Sequence, residues 1–164
     1  MIKIGVISDT HGYFDDRLRD FLANVDEIWH AGDIGSLELA DSIDEFKPMR
    51  AVFGNIDGAE IRQVYPEILE FQREDVKIAI SHIVGYPGKY STTGRELLKN
   101  KPKILVAGHS HILKVIYDTT NELLFLNPGA AGVYGFHTVR TALRFDIAGA
   151  EIKNLELAEW KKQC

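Results

Sequence analysis

Residues 104–111 read Ile104-Leu105-Val106-Ala107-Gly108-His109-Ser110-His111. The first half is a short apolar run with β-branched residues, and it reads as a buried strand. Two histidines one residue apart in extended backbone project to the same side, because the side-chain period of a strand is two. Neutral imidazole is the commonest protein metal ligand. A buried strand that ends in paired histidines therefore points to a metal site at its end. It also calls for partner ligands at other strand ends.

Upstream, the chain supplies them. Ile2 to Ser8 reads as a strand ending at Asp9-Thr10-His11-Gly12, and Glu27 to His30 as one ending at Ala31-Gly32-Asp33. Arg50 to Phe53 runs into Gly54-Asn55-Ile56-Asp57, and Val76 to Ile80, preceded by Glu67 to Phe71, runs into Ser81-His82. Between them, apolar spacing predicts a helix over Asp15 to Asn24, with acids in its first turn. Ser36 is a candidate N-cap for a second helix through Phe46. A less regular segment follows Gly58, and a Gly/Pro-rich loop from Val84 to Gly94 leads into a helix from about Thr93 to Asn100.

Downstream the pattern changes to hairpins. Val115 to Tyr117, Leu123 to Leu126, Thr141 to Asp146 and Glu151 to Leu157 read as strands, with turns at Asn121 and Ala148-Gly149. Alternating strands and helices followed by hairpins predict a mixed α/β fold with two packed sheets, as a single domain over 1–164.

Composition sets the outer bounds. Of 164 residues, 45% are hydrophobic and 26% charged, ordinary for a globular chain with a real core. No run approaches the roughly 18 apolar residues of a membrane span, so no membrane partner is expected. The net charge of −5, with no Lys/Arg cluster, argues against a polymeric nucleic acid as partner. The single Cys164 excludes an internal disulfide framework and, with no signal peptide, predicts a cytoplasmic protein.

Five polar clusters thus begin where an apolar strand stops: Asp9/His11, Asp33, Asn55, His82 and His109/His111. Sites in open α/β sheets form outside the carboxyl ends of the strands. One Asp or His after a strand is usually a turn residue or cap. Five such ends, all carrying metal-ligating types, reverse that reading. Four histidines, two aspartates and an asparagine exceed the needs of one ion, and mixed imidazole and carboxylate suits manganese first, with nickel, iron, cobalt or zinc as alternatives.

Asp-x-His, Gly-Asp, Gly-Asn-x-Asp, a lone His after a strand and Gly-His-x-His, in this order, resemble the calcineurin-like metallophosphoesterases, and the short length is similar to their small bacterial and archaeal phosphodiesterase branch. The resemblance implies a four-layer αββα sandwich with two mixed β-sheets. It implies one metal held by Asp9, His11, Asp33 and His111, and a second by Asp33, Asn55, His82 and His109. The activity implied is hydrolysis of a small phosphodiester by a hydroxide bridging two divalent ions about 3.5–4 Å apart, with Asp33, Asn55 and His109 as catalytic residues. Two dications, two aspartates and a hydroxide leave about +1, which matches a phosphodiester monoanion. The alternatives are a phosphomonoesterase or nucleotide phosphatase on the same centre, or a non-catalytic scaffold, a use this fold has in a retromer subunit. Small relatives also self-associate, so a homo-oligomer is a further expectation.

Two departures from the family pattern sharpen this. Much of the family has a histidine after the motif asparagine; here Ile56 cannot donate a proton to the leaving group. A preference for low-pKa leaving groups is therefore expected, and His137 is the one remote histidine able to substitute, against the plainer reading of a loop residue. After His82 come Ile83-Val84-Gly85 in place of the usual Gly. The following Tyr86, Lys89 and Tyr90 form a loop that either covers the metals and contacts substrate or is a solvated connector. Asp57 and His30 are expected behind the ligands, orienting them, with a hydrogen-bonded strand residue as the alternative for His30.

Overall fold

The computed structural model describes residues 1–162; Cys164 lies outside the described residues. In chain order the first elements are β1 (Ile2–Ile7), α1 (Asp16–Phe21), β2 (Glu27–His30), α2 (Leu37–Phe46), β3 (Met49–Ala51) and α3 (Ala59–Val64). Next come β4 (Ile68–Arg73), β5 (Val76–Ser81), β6 (Gly85–Tyr86), β7 (Lys89–Tyr90), α4 (Thr92–Leu98) and β8 (Ile104–Val106). The chain closes with β9 (Lys114–Asp118), β10 (Leu123–Asn127), β11 (Val139–Ala148) and β12 (Glu151–Lys161).

These strands build two five-stranded sheets, ordered β12-β11-β1-β2-β3 and β4-β5-β8-β10-β9. In the first, β1, β2 and β3 run parallel while β11 returns antiparallel to β1. In the second, β5, β8 and β10 run parallel, flanked by antiparallel β4 and β9. The C-terminal hairpins therefore divide: β9–β10 extends the second sheet and β11–β12 the first.

Burial explains the layering. Ile4, Val6, Trp29 and Phe145 of the first sheet meet Ile78, Ile80, Ile104 and Val106 of the second in one core between the sheets. Leu18 and Leu22 at the end of α1 and Ile43 of α2 pack on the outer face of the first sheet against Ile7 and Ile28. Leu97 of α4 packs on the outer face of the second against Ala79, Leu105 and Phe125. Each such side chain contributes about 1.5–3 kcal/mol by leaving water. Helix, sheet, sheet, helix is the four-layer αββα sandwich with two mixed sheets. Trp29 sits edge-on to Phe71 and Phe145 at 5.4 and 5.7 Å, a core residue as its strand position suggests.

Local chemistry sets the helix starts. The Asp15 carboxylate accepts from the Leu18 amide, and the Ser36 hydroxyl from the Leu39 amide. The irregular segment after Gly58 is in fact α3. Its single buried residue, Ile61, packs against Ile34, Ala40 and Ala51, so it carries no amphipathic period for a sequence to reveal. The Gly/Pro-rich loop likewise contains the small β6–β7 hairpin. No helix among the described residues is long and apolar enough to cross a membrane.

Candidate metal centre

The parallel strands β1, β2, β3, β5 and β8 each hand their chain to one of the five polar clusters, and the structure brings all five together. Asp9, His11 and His111 form one potential ligand group; Asp33, His82 and His109 form another. Asp9 Oδ1 lies 3.2 Å from His111 Nε2 and 3.8 Å from both His11 Nε2 and His82 Nε2. Asp33 Oδ2 lies 3.5 Å from His11 Nε2 and 3.2 Å from His82 Nε2, so one oxygen faces both groups. Asn55 Oδ1 is 3.0 Å from His109 Nδ1 and completes the second group's rim.

One expectation is corrected. His109 and His111 do not form a clamp on an extended strand. β8 stops at Val106, and both residues are left-handed, with φ of 71° and 62°. They also serve different groups. Asp9, His11 and Asp33 share this conformation, at 53°, 45° and 56°. Each costs about 1–3 kcal/mol for a residue with a side chain. Such outliers gather where surrounding structure fixes a site, and here they turn the chain back on itself just past β1, β2 and β8.

Backbone bonds hold these turns. The amides of Asp9, His11 and Gly12 donate to the carbonyls of Gly32, Asp33 and Ile34, so β1–β2 pairing continues into the loops. The Gly108 amide donates to the His82 carbonyl at 3.0 Å, tying β8 to β5. Gly32, at φ 102°, has no room for a Cβ, which would sit 2.7 Å from His82 Nδ1.

The residues behind the ligands divide the work. Asp57, 2% exposed, accepts from the amides of Ile34, Gly35 and Gly54 at 2.9–3.1 Å, which fixes the loops after Asp33 and before Asn55. His30 is fully buried; its Nδ1 accepts from the Gly32 amide at 3.1 Å, so its Nε2–H donates to Thr10 Oγ1 at 2.9 Å. Desolvation pulls the His30 ring down to about 4, keeping it neutral. Three positioning residues escape the sequence reading. Ser8 Oγ and the His109 amide both donate to Asp9 Oδ2. The Asn127 amide group donates to Gly108 O and Ser110 Oγ, latching the Gly-His-Ser-His turn. Arg140 clasps the Asp15 cap and Ala131 O. Their signal is faint: one Ser and one Asn where apolar strands end, and one Arg where another begins.

Electrostatics test whether cations fit. Asp9 and Asp33 are 0% and 3% exposed, yet among the described residues neither pairs with Lys or Arg, only with histidines. Burying uncompensated carboxylates is costly. Burial pushes the Asp9 carboxyl up, but His11, His111, His82 and Ser8 outweigh it and hold it well below the usual carboxylate range. Burial likewise lowers the His82 ring, and the Asp33 and Asp9 carboxylates more than reverse this. Asp9 Oδ1, His11 Nε2 and His82 Nε2 are buried without a hydrogen-bond partner. The His82 Nδ1–H donates to Ala31 O at 2.7 Å, so in the neutral ring, the form that binds a metal, the Nε2 lone pair is aimed inward. Lone pairs without donors, facing one another, are a donor set made for cations.

Two cavities flank the cluster. One of about 470 Å³ is lined by Asn55, Arg62, Ser81, His82, Ser91 and Thr92. The other, about 510 Å³, is lined by His109, His111, Ile112, Tyr134, Phe136 and His137. Tyr86, Lys89 and Tyr90 line neither. The Tyr90 hydroxyl donates to Asp118 at 2.6 Å, and Lys114 rests on the Tyr86 ring at 3.8 Å. Ile56 reaches the site through its amide, which donates to Asp33 Oδ1 at 3.0 Å.

Comparison with known proteins gives the same direction. Residues 2–150 match the model of the calcineurin-like phosphoesterase superfamily domain. A protein of Methanocaldococcus jannaschii named "Probable metallophosphoesterase" is 36% identical, over 79% of this chain and 68% of its own. A crystal structure from Streptococcus pneumoniae, described as a "predicted phosphoesterase", superimposes with a TM-score of 0.71 at 25% identity, covering 98% of this chain and 90% of that one. Zinc-complexed Vps29 of Entamoeba histolytica reaches a TM-score of 0.78 over 99% and 100% of the two chains, and at 19% identity shows a shared fold.

Proposed function

The chain belongs to the calcineurin-like phosphoesterase superfamily, and from that premise we propose that it is a phosphodiesterase dependent on two divalent metal ions. The observation that carries this reading is the pair of buried carboxylates, unpaired with any described Lys or Arg, among inward-facing histidine nitrogens. Asp9, His11, Asp33 and His111 would hold one ion, and Asp33, Asn55, His82 and His109 the other. Two bound ions would supply an activated water and a Lewis-acidic grip on a phosphate oxygen.

The chain's own residues then bias the substrate. With only two aspartates in the ligand set, the loaded centre keeps a small positive charge, suited to a diester monoanion. No acid stands at position 56, where the amide alone is used. His137 has both ring nitrogens engaged, so it is not free to protonate a leaving group. Neither residue supplies general acid help, usually worth about 10²–10⁴-fold, and the reading favours esters whose leaving group departs as a stable anion.

The test uses metal-stripped protein, with Mn²⁺ or Zn²⁺ added back, against bis-p-nitrophenyl phosphate, p-nitrophenyl phosphate and a dialkyl phosphodiester. Activity should return only with metal and favour the aryl diester over both others. Faster cleavage of the monoester would transfer the assignment to a phosphomonoesterase or nucleotide phosphatase. Metal binding without turnover of any ester would favour a scaffold on the Vps29 fold. Full activity in stripped protein would overturn the metal reading.

A further inference from the structure

We propose that His137 is a positioning residue that sets the tautomer and orientation of His111, so that His111 meets a metal through Nε2; this rests on the two-metal reading above. His137 Nε2 lies 2.8 Å from Gly132 O, and a carbonyl only accepts, so that nitrogen carries the proton. In the neutral ring only one nitrogen carries hydrogen, so with Nε2 donating, the His137 Nδ1 is a bare lone pair. Its neighbour at 3.2 Å is His111 Nδ1. Two bare nitrogens do not bond, so His111 Nδ1 carries the hydrogen and donates it. The lone pair of His111 is thereby left on Nε2, which faces Asp9 Oδ1 at 3.2 Å.

The arrangement parallels His82, whose Nδ1–H is held by Ala31 O. Here an imidazole stands where a carbonyl would serve, and it is itself anchored to the backbone. The two rings meet nearly edge-on, at 83° with centroids 5.0 Å apart. Close approach is possible because of Gly135: at φ 126°, a Cβ there would collide with His111 Nδ1 and the His111 ring. The Gly135 carbonyl is in turn held by the Lys162 ammonium. The His137 lone pair points at His111 and not at either carboxylate, which separates a positioning role from ligation.

Two measurements decide it. In metal-free protein, long-range ¹H–¹⁵N NMR should find His111 as the Nδ1–H tautomer and His137 as the Nε2–H tautomer. The reverse assignment would overturn the proposal. Calorimetric titration with Zn²⁺ should show two sites in the parent. His137→Ala should weaken one by about 10–100-fold, the usual effect of removing a ligand's orienting partner, and leave the other unchanged. His137→Asn, which keeps an acceptor oxygen near the lost Nδ1, should recover most of that loss. Gly135→Ala, with His137 intact, should reproduce the single-site defect. Unchanged affinity in His137→Ala, or equal weakening of both sites without rescue by Asn, would overturn the proposal. Failure of the parent itself to bind Zn²⁺ would instead strike the two-metal reading.

Discussion

The two ligand groups occupy the same rim but are built differently. The Asp33/His82/His109 group is framed by the parallel strands themselves: the His82 ring is locked to the loop after β2, and Asp57 braces the turns around Asp33 and Asn55. The Asp9/His11/His111 group starts on the same strands, yet His111 takes its support from a loop 26 residues further on. The outer walls differ too. One side presents Asn55, Arg62 and hydroxyls, the other Ile112, Tyr134 and Phe136. The difference teaches that a centre can be symmetric in its ligands and asymmetric in what makes them ready.

Asp33 offers the harshest way to break that comparison. Its Oδ2 lies between His11 and His82, one from each group, so it faces both. Asp33→Asn keeps the shape but removes the shared charge. We expect kcat/KM on an aryl diester to fall by at least about 10³-fold, the upper range for losing one preorganised electrostatic group, with both metals bound more weakly in calorimetry. Loss of one metal only would mean the groups are independent and Asp33 is a private ligand of one.

Much of this was readable beforehand because strand ends and ligands coincide in the chain. β2 runs over Glu27–His30 as its apolar run indicated, and Asp9, Asp33, Asn55, His82 and His109 each follow an apolar run. What stayed hidden depends on side chains crossing between distant segments. His137 stands out in the sequence only as a remote candidate acid, and its contact with His111 shows only in the fold. Asn127 is a loop opener until its amide reaches Gly108. The left-handed turns were also concealed, since φ at a non-glycine residue leaves no mark in composition. They are why the strand alternation argument for His109 and His111 failed although both residues do reach the site.

His30 sharpens the comparison from beneath, since it touches both groups: Gly32 precedes Asp33, and Thr10 stands between Asp9 and His11. Its folded value of about 4 lies below the ordinary 6.5. The unfolded chain therefore binds a proton in that window and the folded chain does not, so stability is lost as pH falls from about 6.5 toward 4. Between pH 7 and 5 this group accounts for about 2 kcal/mol. In urea unfolding of metal-free protein, His30→Asn should narrow the pH 7 to pH 5 difference by about that amount. An unaltered difference would show that His30 is charged when folded or already solvated.

The smallest expected effect lies at the apolar wall. Phe136 is fully exposed and Tyr134 mostly so, with the Tyr134 ring 5.0 Å from the His11 ring. A wall of that kind suits an aromatic ester group, and an aromatic pair is worth about 0.5–1.5 kcal/mol beyond its buried area. Phe136→Ala should therefore raise KM for an aryl diester by roughly 2- to 10-fold, leave kcat nearly unchanged, and spare a dimethyl diester. Tyr134→Ala should do the same, unless its stacking on His11 also steadies that ligand, in which case calorimetric Zn²⁺ affinity would drop as well. Equal losses on aryl and methyl substrates, with metal binding intact, would detach this wall from substrate recognition and leave the asymmetry of the centre to His137 alone.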